Sequence, residues 1–173
     1  MTTPNLADIR LVGFDVDGVL TDGRVIIHDD GGESKHFHSR DGHGIKMMIR
    51  EGLEAVIITG RRSRVVELRA EDLGISELHQ KVLEKWPVFE DILKRRGLEP
   101  SQAAFAGDDV IDLPIMRRVR LALAPAAACP EVKAAAHFVA SAPGGRRSGR
   151  GLVVFILKGQ GLWDKAPARS DQD

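Results

Sequence analysis

Short, mainly apolar runs recur along the chain, each ending at a turn former or an acid. Ile9–Phe14, Ala55–Ile58, Ala103–Ala106 and Arg120–Ala124 follow this pattern, with His137–Ala140 a weaker fifth. Runs this short and this apolar predict strands buried on both faces. Between them, apolar positions recur at helical spacing over Gly44–Glu51, Ser63–Leu73, Lys85–Arg96 and Leu113–Val119, and a further helix is predicted at Leu152–Lys158. Pro87 suits the first turn of the third helix and Gly97 its end. Strands alternating with helices predict an α/β fold, a Rossmann-like parallel sheet with helices on both faces.

One segment interrupts the alternation. Arg24–His28 and Ser34–His38 are extended runs around Asp29-Asp30-Gly31-Gly32, which predicts a small β-hairpin over residues 24–38, inserted after the first strand. Between Asp15 and Thr59 the chain must hold this hairpin and a helix. Elements of ordinary length leave no room there for a cap domain, so the fold is predicted to be capless. Residues 1–163 read as one domain, and 164–173, rich in Pro, Ala, Ser and scattered charge, as a disordered tail.

Composition narrows the function classes. The 173 residues are 43% hydrophobic and 29% charged, ordinary for a soluble globular protein. The 25 basic residues balance 25 acidic ones, so no overall field draws nucleic acid. Cys129 stands alone, which excludes a disulfide framework or a thiolate metal site. The polar start Met1–Arg10 has no signal-peptide core, and the apolar run Leu152–Leu157 is too short to span a bilayer. The expected setting is the cytoplasm, with no membrane or nucleic-acid partner.

Ligands of open α/β sheets bind beyond the carboxyl ends of the strands. The polar residues gather at those ends: Asp15-Val16-Asp17-Gly18, then Thr59-Gly60, then Gly107-Asp108-Asp109 with Asp112, while Lys85 opens the helix between the last two. Any one Asp in such a loop is ordinarily a turn former or a helix cap. Carboxylates gathered in this order at strand ends, with a hydroxyl and a lysine among them, instead predict one shared pocket.

At these residues the chain resembles the haloacid dehalogenase-type phosphatases. FDVDGVLTDG matches their first motif, VIITG the second, Lys85 the third and GDDVID the fourth. The resemblance implies a magnesium-dependent phosphatase working through an aspartyl-phosphate intermediate. In that reading Asp15 is the nucleophile and a metal ligand, and Asp17 is the general acid and then the base. The Asp17 backbone carbonyl and Asp108 complete the metal site, with Asp109 and Asp112 in supporting positions. Thr59 binds the phosphoryl oxygens and Lys85 neutralises charge during transfer. The residue types suit the chemistry, because a carboxylate attacking an anionic ester needs cations nearby and magnesium favours hard oxygen ligands. Lys81, four residues earlier, competes for the lysine role; the junction with Trp86-Pro87-Val88-Phe89 favours Lys85.

Within that superfamily the chain is most similar to the 3-deoxy-D-manno-octulosonate 8-phosphate phosphatases, over Ile9 to Trp163. DVDGVLTDG, DDGGESKHFHSRDGHGIK, ITGRRS, GDDVIDLP and APGGR carry the likeness. It implies a small phosphorylated sugar acid as substrate, bound by Asp17, Ser39, Arg40, Asp41, Gly42, Lys46, Gly60, Arg61, Arg69, Lys85 and Arg146. Arginine grips carboxylates in a fork where lysine acts as a point charge, which suits a keto acid. It also implies a homotetramer in which a neighbouring subunit covers the uncapped site. The same core would serve a nine-carbon sugar acid 9-phosphate, and a catalytically silent oligomerisation module is the reading from another class.

Several features stay open. His36 and His38 share one face of an extended run, as a metal pair or as ordinary strand residues. Gly144-Gly145-Arg146 is either a linker before the last helix or a segment reaching over the site. Arg147 stands where the relatives carry glycine, Gly151 where they carry an acid, and Lys81 where some carry glycine.

Overall fold

The computed structural model describes residues 4–166. Six parallel strands form one sheet: β1 (Leu11–Phe14), β4 (Glu54–Ile58), β5 (Glu77–His79), β6 (Ala103–Ala106), β7 (Leu121–Ala124) and β8 (Phe138–Val139). Their order across the sheet is β5-β4-β1-β6-β7-β8. The chain builds outwards from β1 on one side and then crosses back to build on the other. That reversal opens a crevice at the carboxyl ends of β1 and its neighbours.

Strand residues alternate between two apolar layers. Val12, Phe14, Ile57, Ala104, Ala106 and Leu123 face a layer that includes Ile45, Met48, Val66, Leu73, Leu152 and Ile156. Those residues come from α1 (Ser39–Arg50), α2 (Arg64–Leu73) and α6 (Ser148–Gly159). Leu11, Val56, Ile58, Phe105 and Ala122 face the other layer, with Phe89, Ile92, Ile115 and Val132. It is built by α3 (Lys85–Arg96), α4 (Leu113–Met116) and α5 (Pro130–Ala135). Burial on both faces explains why the strands are continuous apolar runs. Gly13 is required by this packing, because a Cβ there would lie 2.5 Å from the Phe105 ring and 2.9 Å from Phe89.

Between β1 and β4 lie only the hairpin, β2 (Ile26–Ile27) with β3 (Glu33–Ser34), and α1. Its paired part is shorter than predicted, with Ile26 opposite Ser34 and Ile27 opposite Glu33. The return arm instead leaves its partner and bridges to the loop after β1, Phe37 against Thr21. The first helix begins at Ser39 rather than Gly44, because the His38 imidazole Nδ1 accepts the Arg40 N–H and caps it. Two elements escaped the pattern: β5, a three-residue edge strand of mixed polarity, and the six-residue α5. The fourth predicted helix stops early at Met116. Asp164–Ala166 form a turn with Ala166 buried against the α1/α6 layer; the rest of the predicted tail lies outside the described residues. Among the described residues no helix is long and apolar enough to cross a membrane.

Candidate active site

Asp15 follows β1 directly, and its N–H bonds to the Ala106 carbonyl of β6 (2.9 Å), which fixes the carboxylate at the crevice. From the first turn of α3, Lys85 reaches the same point. Its ammonium lies 2.8 Å from Asp15 Oδ1 and 2.7 Å from Asp112 Oδ1, fully buried. Burial opposes its charge, but Asp15 and Asp112 outweigh burial and hold it above the usual lysine range. Burial pushes the Asp15 carboxyl up to about 6, with Lys85 pulling it down and Asp112 pushing it further up. Lys81 is exposed in a left-handed turn (φ 59°), whereas Lys85 is the lysine buried against Asp15.

Asp112 is turned inward. Its Oδ2 accepts the N–H groups of Asp108 (3.0 Å) and Asp109 (3.3 Å). It therefore braces the loop after β6 and anchors Lys85. Gly107 permits the close fit, since a Cβ there would lie 2.4 Å from that of Asp112. Asp109 caps the following 3-10 turn through the Val110 N–H.

Asp15, Asp108 and Asp112 each offer an oxygen within 4.8 Å of the others, the one such cluster of metal-ligating groups among the described residues. Asp108 Oδ1 is buried and has no hydrogen-bond partner. Burial, then Asp15, Asp112 and Asp109, push its carboxyl up to about 8. An orphaned carboxylate oxygen in a carboxylate cluster is the donor set a hard divalent cation takes. Both Asp112 oxygens are engaged, by Lys85 and two amides, whereas Asp108 Oδ1 has no partner and Asp15 meets Lys85 through Oδ1, so Asp15 and Asp108 are the better placed to take an ion. Gly18, at φ 92°, lets Asp108 lie against the loop after β1: a Cβ there would sit 2.0 Å from Asp108 Oδ2.

Asp17 stands apart from this cluster. Its Oδ1 takes an ion pair from Lys35, on the return arm of the hairpin, and its Oδ2 lies 3.9 Å from Arg61 Nε. Thr59 is buried just beyond β4, whose pairing with β1 sets Phe14 opposite Ile57 and brings both strand ends to one edge. Gly60 follows it against Val82 and Leu83.

The remaining sequence candidates divide. Arg146, with Gly18 and Gly144, lines a cavity of about 370 Å³ that reaches the cluster at Asp108. Gly144 and Gly145 are docked on the loop after β1: a Cβ on Gly144 would lie 1.8 Å from the Gly18 carbonyl oxygen, and Gly145 adopts φ 62°. The segment is thus not a free linker but is docked beside the carboxylate loop, with Arg146 at the cavity wall. Asp41 is buried and accepts the N–H groups of Arg150 (2.8 Å) and Arg147 (3.3 Å), capping α6. Gly42 packs under Arg69 and Leu73. Arg69 and Lys46 both pair with Asp72, and Arg69 also covers the Phe37 ring. Ser39 and Arg40 border a larger cavity of about 710 Å³ with His43, Arg147 and Arg150, and none of the carboxylates lines it. His36 faces Asp22 at 3.8 Å, and His38 is occupied by its cap, so the two do not form a metal pair. Lys35 is the site residue the sequence reading passed over. In sequence it looks like any hairpin lysine, and only the bridge at Phe37 turns it inward.

A carboxylate cluster braced by a buried lysine at the ends of parallel strands, on a capless α/β sheet with an inserted hairpin, defines a haloacid dehalogenase-type phosphatase. No family model matches the chain. It is 40% identical over 163 residues to the 3-deoxy-D-manno-octulosonate 8-phosphate phosphatase of Escherichia coli K12, covering 94% of this chain and 87% of that protein. A Moraxella catarrhalis enzyme of the same name, solved with magnesium, phosphate and the sugar acid KDO, superimposes with a TM-score of 0.93 at 33% identity over 95% of each chain. A haloacid dehalogenase superfamily hydrolase from Legionella pneumophila gives a TM-score of 0.94 at 34% identity, over 98% of this chain and 93% of that one. The chain belongs to the 3-deoxy-D-manno-octulosonate 8-phosphate phosphatase family.

Proposed function

We infer that the protein is a magnesium-dependent phosphatase that hydrolyses 3-deoxy-D-manno-octulosonate 8-phosphate to KDO and phosphate, a step towards lipopolysaccharide precursors. The observation that carries this is the Asp15–Asp108 pair with its orphaned oxygen, matched to a relative solved with magnesium, phosphate and KDO.

Asp15 Oδ attacks phosphorus, and the bond to the sugar oxygen breaks as Asp17 gives that oxygen its proton. Asp17, now a carboxylate, takes a proton from water, which attacks the aspartyl phosphate and frees phosphate and Asp15. Lys85 keeps Asp15 anionic and faces the transferring group with positive charge. Thr59 and nearby N–H groups hold the phosphoryl oxygens. Asp15, the Asp17 carbonyl and Asp108 would hold a magnesium ion, which would supply positive charge against the phosphoryl oxygens. Arg61 beside Asp17, Gly60, and Arg146 at the cavity wall are supported as substrate contacts by position. Ser39, Arg40, Lys46 and Arg69 would act from the α1/α2 side, through a neighbouring subunit's site, with the buried Asp41 and Gly42 shaping the turn that presents them.

Residues 1–163 would act as one catalytic domain in a cytoplasmic homotetramer. Exposed Val25 and Ile27 on the hairpin and Leu83, Val110 and Ile111 at the strand ends support that assembly as apolar surface to be covered. A phosphate-release screen tests the function, using the eight-carbon ester, a nine-carbon sugar acid 9-phosphate and hexose phosphates. Preference for the eight-carbon ester is expected; equal or better turnover of the others would overturn the substrate assignment.

A further inference from the structure

The hairpin carries a group that enters the chemistry through Asp17. Lys35 follows β3 directly, and its side chain is 2% exposed although the hairpin tip is open to solvent. The Phe37–Thr21 bridge ties the return arm to the loop after β1. In that antiparallel register Lys35 falls opposite Gly23, whose φ is 78° and whose backbone closes on Gly18. The Lys35 ammonium ends on Asp17 Oδ1, its one ion pair among the described residues, while Arg61 lies by the other oxygen.

The consequence is a separation of two kinds of carboxylate. Asp15, Asp108 and Asp112 converge within 4.8 Å, and Asp17, only two residues from Asp15, does not join them. A carboxylate so close to a cation site would otherwise be drawn in as one more ligand, because hard cations gather available oxygens. Lys35 and Arg61 hold it on the hairpin side. We propose that Lys35 is a positioning residue that keeps the Asp17 side chain out of the metal cluster and in reach of the leaving-group oxygen, so that the hairpin is part of the catalytic apparatus. This rests on the acid/base role proposed for Asp17. A buried ion pair that merely fastens the hairpin is the alternative.

Leaving-group dependence separates them. A sugar alkoxide needs a proton to depart, whereas p-nitrophenolate leaves without one, so only the sugar ester senses a misplaced acid. The experiment measures kcat/KM of wild type, Lys35→Met and Asp17→Asn on the eight-carbon sugar acid phosphate and on p-nitrophenyl phosphate. The ratio of the two values within one preparation is independent of how much protein is folded. Lys35→Met should lower that ratio by about ten- to a hundredfold, the cost of moving a catalytic group by about 1 Å, and Asp17→Asn by at least as much. A selective loss in Asp17→Asn with an unchanged ratio in Lys35→Met would overturn the positioning role. No selective loss in Asp17→Asn would instead overturn the acid assignment on which it rests.

Discussion

Titrating the metal-free protein with magnesium at several pH values tests the carboxylate cluster directly. Burial, with Asp15, Asp112 and Asp109 adding to it, lifts Asp108 from 3.8 to about 8, and burial lifts Asp15 to about 6. At pH 7 such groups are roughly 90% and 10% protonated respectively. An ion that needs both as carboxylates therefore displaces about one proton at pH 7 and almost none above about pH 9. Affinity should improve about tenfold per pH unit between about pH 6 and 8, more steeply below, and level off above. The same displacement sets stability. Both folded-state values are raised, so metal-free stability is fully present below pH 3.8 and is lost as pH rises, through about 6 for Asp15 and about 8 for Asp108. For Asp108 that is about 6 kcal/mol at face value and about 3–4 kcal/mol after solvent screening. Calorimetry in two buffers of different ionisation heat counts the protons, and thermal melts with and without magnesium follow the stability. Proton-free binding at pH 7, or affinity flat from pH 6 to 8, would refute the account of the cluster.

Asp15→Asn should abolish phosphate release while leaving the fold intact, since an amide is no nucleophile; residual turnover above about 1% of wild type by a folded variant would remove Asp15 from that role. Asp41→Ala should cost about 1–2 kcal/mol by uncapping α6, read as a lower urea midpoint with the slope unchanged. Light scattering at micromolar concentration should find a tetramer, and a fully active monomer would show that one chain completes the site.

The chemistry was legible because each motif sits at a strand end, and the strands announce themselves as apolar runs buried on both faces. Asp15, Lys85 and Asp108 needed only the strand order to be brought together. Asp112 was assigned a supporting position without its cause, because the fit against Gly107 depends on backbone detail. Asp41 was harder to read. Beside an arginine in a glycine-rich stretch it looks like a substrate contact, and its actual partners, the amides of Arg147 and Arg150, lie more than a hundred residues away in α6. β5 and α5 were missed because neither is long enough to display a period. Lys35 was missed because burial of a lysine is decided by a single bridge between distant backbones.

Lys81 and Arg147 are the two non-glycine residues with left-handed backbones among the described residues, at φ 59° and 78°. By the chain's resemblance to its family, Arg147 stands where the relatives carry glycine and Lys81 where some of them do. A side chain there strains the native backbone by about 1–2 kcal/mol. It also removes conformations from the unfolded chain, which returns about 0.4–1 kcal/mol. The exchange with glycine therefore still costs up to about 1.5 kcal/mol at each site, and this chain carries two extra cations at that thermodynamic cost. One of them, Arg147, borders the cavity shared by Arg40 and Arg150, where it changes the local potential while leaving the catalytic frame as it was.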